Sequence, residues 1–184
     1  MRNFLTSIFV TLKIEIFELE GISGLKSKIY SFVVDDQELT LYEQFVVDND
    51  PPFEKEVTNL DDRLRAIGQD TGLIVEFFKT GMGRPGQHIC QFYDQPKSKL
   101  RLFFIEEAQK NAIFVGGGGL KPRNARATQD YPELNRCREQ LMEIEDILRR
   151  AEENGTLAIQ EDGSIISTTD FIYYSREHYD EKSA

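Results

Sequence analysis

The chain has 184 residues and a mass of 21.2 kDa, enough for one domain with a sizeable core and too little for two full ones. Its 40% hydrophobic and 29% charged content argues against a disordered chain, and two cysteines, Cys90 and Cys137, with only His88 and His178 beside them, against a disulfide-stapled fold or a four-ligand zinc site. A net charge of −10, taken alone, argues against a nucleic-acid binder, because a polyanion repels an acidic protein at long range.

In chain order, the apolar stretch Phe4 to Leu12 is too short to span a bilayer. No small-residue cleavage site follows it, since Lys13-Ile14-Glu15-Ile16 comes next. A cytoplasmic protein without membrane contact is expected. Leu12 to Ile16 alternates apolar and polar residues, the period of a half-buried strand. Tyr30–Val34 and Thr40–Val47, rich in β-branched and aromatic residues around Asp35-Asp36-Gln37-Glu38, predict a hairpin. Asp50-Pro51-Pro52 offers a helix start, and Phe53, Val57, Leu60, Leu64 and Ile67 recur at helical spacing up to Gly68.

Four apolar runs follow: Leu73–Phe78, Ile89–Tyr93, Leu100–Ile105 and Ala112–Val115, with short polar connections that predict an antiparallel meander. Asp130 with Glu133 three residues later predicts a capped helix start. Leu134, Cys137, Leu141, Ile144, Leu148 and Ala151 then form one stripe, ending at Asn154-Gly155. That stripe can cover the sheet or mate with a partner helix. Thr156–Ile159 and Ser164–Thr168 predict a second hairpin, and residues 176–184 a tail. The expected fold is α+β: an antiparallel sheet of about four to six strands, packed by one helix from the N-terminal half and a long one from the C-terminal half. An N-terminal strand or extension (1–29), a central domain (30–155) and a C-terminal hairpin with an acidic tail (156–184) divide the chain.

Charge is unevenly placed. Residues 1–78 carry 7 basic and 15 acidic groups, residues 79–126 carry 9 and 3, and residues 127–184 carry 6 and 14. The central cations are Lys79, Arg84, Lys97, Lys99, Arg101, Lys110, Lys121, Arg123 and Arg126. On a meander they can converge on one face; as loop charges they only face water.

The run Lys99-Leu100-Arg101-Leu102-Phe103-Phe104-Ile105, then Ala112-Ile113-Phe114-Val115-Gly116-Gly117-Gly118-Gly119-Leu120-Lys121, then Pro-Arg-Asn-Ala-Arg, sits between two helices. This order resembles the RelE/ParE superfamily of toxins, nearest to its HigB-like branch, over Tyr30 to Asn154. The resemblance implies the toxin of a type II toxin–antitoxin system that cuts messenger RNA, often on the ribosome, without metal or cofactor. Its partners would be RNA and an antitoxin protein, and a homodimer is compatible with it. It also admits a non-catalytic relative that acts on gyrase or serves as an interaction module.

In such an RNase a ribose 2′-hydroxyl attacks the adjacent phosphate, which calls for an acid, a base and cations around the developing charge. By resemblance, Arg101 takes the family's strand arginine and Lys121 the lysine after the glycine-rich strand end. Lys99, two residues from Arg101, would share its face. Arg123, Arg126, Lys79 and Arg84 would hold flanking phosphates. The family's late histidine or tyrosine has no counterpart beyond Tyr131. His88 and Tyr93 are the nearest candidates for acid and base, with Glu76 as a carboxylate alternative.

The glycine run is not a phosphate loop of the Walker kind, because Pro122 follows Lys121 where Ser or Thr is required. Gly81-Met82-Gly83-Arg84-Pro85-Gly86 reads by composition as a mobile loop that could close over RNA.

Overall fold

The alternation that begins at Leu12 forms β1 (Lys13–Glu18), with Ile14 and Ile16 inward. β2 (Lys28–Val34) returns antiparallel to it, Ile16 opposite Phe32. The computed structural model describes residues 11–92, 98–121 and 131–175.

The second arm of the expected first hairpin is instead a helix, α1 (Leu41–Asn49). Thr40 caps it: its Oγ1 accepts from Glu43 N at 3.2 Å, while the Glu43 carboxylate accepts from Thr40 N at 2.8 Å. This reciprocal box satisfies two amides left over at a helix start and outweighs the strand preference of the Val46-Val47 pair. Tyr42, Phe45 and Asn49 are the buried side. α2 (Glu54–Ala66) follows with Phe53 at its N-cap, not the expected Asp50, which caps the C-terminal end of α1. Its stripe Val57, Leu60 and Leu64 is buried as the spacing predicted.

A single π-helical turn (Ile67–Thr71) precedes the first expected meander strand, and a 3-10 turn (Val75–Phe77) takes its centre, leaving β3 as Phe78–Lys79 only. β4 (Ile89–Phe92), β5 (Leu100–Glu107) and β6 (Ala112–Leu120) are antiparallel neighbours, as the short connections implied. The helix α3 (Pro132–Glu153) starts with Tyr131 at its N-cap and Pro132 in its first turn; Asp130 lies outside the described residues. β7 (Leu157–Ile159) and β8 (Ile165–Ser167) form the expected second hairpin. β9 (Ile172–Tyr174) was not foreseen.

The molecule is α+β. Among the described residues seven strands make one sheet in the order β3-β4-β5-β6-β2-β1-β9, and the β7–β8 hairpin is a separate pair. The sheet is mixed rather than antiparallel throughout, because β2 and β6 run parallel, Tyr30 opposite Phe114. Strands β1 and β9 belong to the main sheet, which carries it past the expected four to six strands.

Each face buries its own cluster. On one, Phe32, Phe103, Ile105 and Phe114 meet Leu134, Leu141, Ile144 and Leu148 of α3, so the long helix covers the chain's own sheet. On the other, Leu102, Phe104, Ile113 and Val115 meet Tyr42, Phe45, Leu60 and Leu64 of α1 and α2.

The glycine run sits where α3 crosses β6. A register shift between Leu102 and Phe104 marks a bulge, and both Gly116 and Gly117 face α3. A Cβ on Gly116 would lie 2.8 Å from a Leu141 methyl, and one on Gly118 only 2.0 Å from the Arg101 carbonyl oxygen. The glycines allow close packing of helix on strand and strand on strand. No helix among the described residues is long and apolar enough to cross a membrane.

Candidate nucleic-acid interface

The β5–β6 register assembles the start of one strand and the end of the other into a cationic corner. Leu100 pairs with Leu120 and Arg101 with Gly119, and Lys121 N donates to Lys99 O at 2.7 Å. Residues directly opposite in an antiparallel pair share a face, so Lys99, Arg101 and Lys121 belong to one end and one side of the sheet. A Cβ on Gly119 would meet nothing within 4 Å, which leaves open space on the strand beside Arg101.

The Arg101 and Lys99 heads part from one another. Arg101 is 8% exposed, and its Nη1 donates to Leu100 O at 2.7 Å and to Ser98 O at 3.3 Å, folding back along its own strand. Lys99 is exposed, and its ammonium lies 6.0 Å from the centre of the Phe53 ring at the start of α2. Lys121 is half-buried. The expectation that Lys99 and Arg101 reach a single phosphate is therefore corrected: shared register fixes where their backbones stand, and the long side chains then leave in different directions.

Glu56 belongs to this corner and was missed. Its Oε2 accepts from Lys99 N at 2.7 Å and from Leu100 N at 2.8 Å, pinning the start of β5 to α2. Its only sequence signal is a place on the polar side of α2, shared with several other acids.

Lys79 pairs with Gln91, which pairs with Phe103, so it lies two strands away on the same side as Arg101. Arg123 and Arg126, and likewise Tyr93 and Lys97, lie outside the described residues.

Two expected site residues are elsewhere. Arg84 Nη2 pairs with Asp146 Oδ2 at 2.9 Å on α3. His88 stands at the far end of β5, where its carbonyl accepts from Glu106 N at 3.0 Å. Five residues separate Glu106 from Arg101, roughly 17 Å along a strand. His88 is therefore too distant to share a phosphate with Arg101, because the antiparallel return of β4 places its start beside the end of β5. Glu76 lies exposed on the 3-10 turn, not on a strand.

The Gly81–Gly86 segment is held, not free to close. Met82 N donates to Ile89 O at 3.0 Å, Arg138 Nη1 to Met82 O at 2.9 Å and Gln87 Nε2 to Met142 O at 2.9 Å, tying it to β4 and α3.

Cys90 is buried against α2, and burial pushes its thiol up to about 12, so it stays protonated and packs as an apolar side chain. Cys137 packs against Gly117. Among the described residues no group of three or more His, Cys, Asp or Glu is placed to hold a metal ion. No protein-family model, curated protein or solved structure matches the chain.

Proposed function

We propose that the chain is a toxin of the RelE/ParE type that binds RNA through the corner formed by Lys99, Arg101 and Lys121. The observation that carries this reading is the β5–β6 register, which sets Lys99 against Lys121 and Arg101 against the open backbone at Gly119. Two lysine heads with water around them can each meet a phosphate, and Arg101 behind them adds a charge that no physiological pH removes. The local arrangement supports the reading too: a helix pair, antiparallel strands, a glycine-rich strand end leading into lysine, then a long helix. An antitoxin would neutralise the protein by covering this corner.

Two outcomes of RNA binding are compatible with the fold. In the first, the chain is a metal-independent endoribonuclease. In the second, it binds without cutting, and the position of His88, far along β5 from Arg101, favours this one. Glu56 is the carboxylate at the corner, and its Oε2 is already engaged by two backbone amides.

Expression of the chain without its neighbouring genes, with RNA ends mapped after induction, tests the proposal. Growth arrest is expected from the native chain and is reduced by Arg101→Ala and by the more exposed Lys121→Ala. New messenger ends identify cleavage, and arrest with intact messenger identifies binding alone. Absence of arrest, or arrest undiminished by either substitution, would overturn the assignment.

A further inference from the structure

At the other end of β5, well away from the cationic corner, a pocket of about 190 Å³ opens between β5, the second half of α3, β7 and the turn before β4. Its floor is apolar, made by Ile105, Leu148 and Ile159. Its walls carry Glu107, Glu145 and Glu152 together with His88 and Arg149.

Glu145 is the informative member. It is 5% exposed, and its Oε1 accepts from His88 N at 2.7 Å, with Arg149 Nη2 at 3.7 Å. Its Oε2 is buried and makes no hydrogen bond within the protein. A carboxylate oxygen in that position has lost its hydration without gaining a donor, a costly state that a donating ligand relieves. Glu107 is also short of a partner, with the His88 imidazole 3.8 Å away. Glu152, by contrast, is matched by Lys110 at 2.6 Å.

We infer that this pocket binds a small organic cation, an alkyl guanidinium or alkyl ammonium, with its head between Glu145 and Glu107 and its stem on Ile105, Leu148 and Ile159. The three carboxylates and His88 are not arranged to hold a metal ion, so the cation they suit is one that brings its own N–H donors. The space corresponds to about six water molecules at ~30 Å³ each, enough for a short alkyl chain with one charged head and too small for a nucleotide. Apolar floor and acidic wall match the two parts of such a molecule, as they do for any snorkelling lysine or arginine. Burial raises the pKa of both Glu145 and Glu107, so the cation binds more tightly as pH rises and the two carboxyl groups ionise. Arg149 and Lys110, which face the same carboxylates beside the His88 imidazole, carry fixed positive charge and oppose the cation at every working pH.

The test is titration of the full chain with n-butylguanidinium and n-butylammonium, followed by the amide NMR signal of His88, which reports directly on Glu145. 1-Butanol, the neutral isostere of n-butylammonium, serves as control. A saturable shift with at least one cation and none with the alcohol is expected, weakened roughly tenfold in Glu145→Gln and in the more accessible Glu107→Gln. N-acetylarginine N-methylamide separates the two sources of this chemistry. If it binds as well, the natural occupant is a basic side chain of another protein; if it is excluded, the occupant is a free amine or guanidine. No saturable response to either cation, an equal response to the alcohol, or full affinity in both folded variants would overturn the inference.

Discussion

Gly118 and Gly119 are neighbours in sequence with opposite tolerances. A methyl group on Gly118 would meet the Arg101 carbonyl oxygen at 2.0 Å, and that oxygen belongs to a paired strand that cannot step aside. Gly118→Ala is therefore expected to cost about 3 kcal/mol in urea denaturation, at the upper end of overpacking effects. Gly119→Ala enters open space and should stay within ~0.5 kcal/mol of the native chain. Glu145 and Glu107 give a pH signature of a different kind. Folding raises both carboxyl pKa values above the ordinary 4.5, mainly by burial. Their protonated forms therefore favour the native state. That contribution is complete below the unfolded pKa and is lost as pH rises through the elevated folded values. Urea midpoints measured from about pH 4 to about pH 8 should show the native chain losing stability relative to Glu145→Gln as pH rises.

Helix α1 depends on its cap more than on its composition. Its buried side is short, Tyr42, Phe45 and Asn49, and Val46 and Val47 are poor helix formers. Thr40→Ala removes one half of the reciprocal pair with Glu43 and should lower stability by about 1 kcal/mol, read from the shift in urea midpoint. The same element shows why part of the fold was hidden in the sequence. Thr40-Leu41-Tyr42-Glu43 is a capping box, yet the β-branched run behind it pointed to a strand. Tertiary burial of Tyr42 and Phe45 against β6 decided the matter. Where periodicity was long, as in α2 and α3, local pattern and burial agreed, so both helices were legible. Strand β9 was not, because three residues carry no period and their pairing with Lys13, Ile14 and Glu15 spans most of the chain. The site divides in the same way. The proximity of Lys99, Arg101 and Lys121 follows from strand pairing between runs visible in the sequence. The bond from Glu56 to β5, the pairing of Arg84 with Asp146 and the separation of His88 depend on how helices cross the sheet.

At the scale of the molecule, the described residues form a seven-stranded sheet, in which β1 and β9 lie side by side, and a separate β7–β8 pair, with helices on both faces of the larger sheet and chemically opposite groups toward opposite ends of β5. The cationic end is Lys99, Arg101 and Lys121, and the acidic end is the pocket around Glu145. An overall charge of −10 repels RNA at a distance, so binding has to come from local phosphate contacts, whose number can be counted from salt dependence. The decisive measurement is the affinity of a short single-stranded RNA across about 50 to 200 mM salt, for the native chain and for Lys99→Ala/Lys121→Ala. Two lost phosphate contacts should weaken binding and flatten the log–log slope by roughly 1.4, at ~0.7 per contact on a single strand. A native chain that does not bind, or a double variant with unchanged affinity and slope, would show that this corner is not where RNA is held.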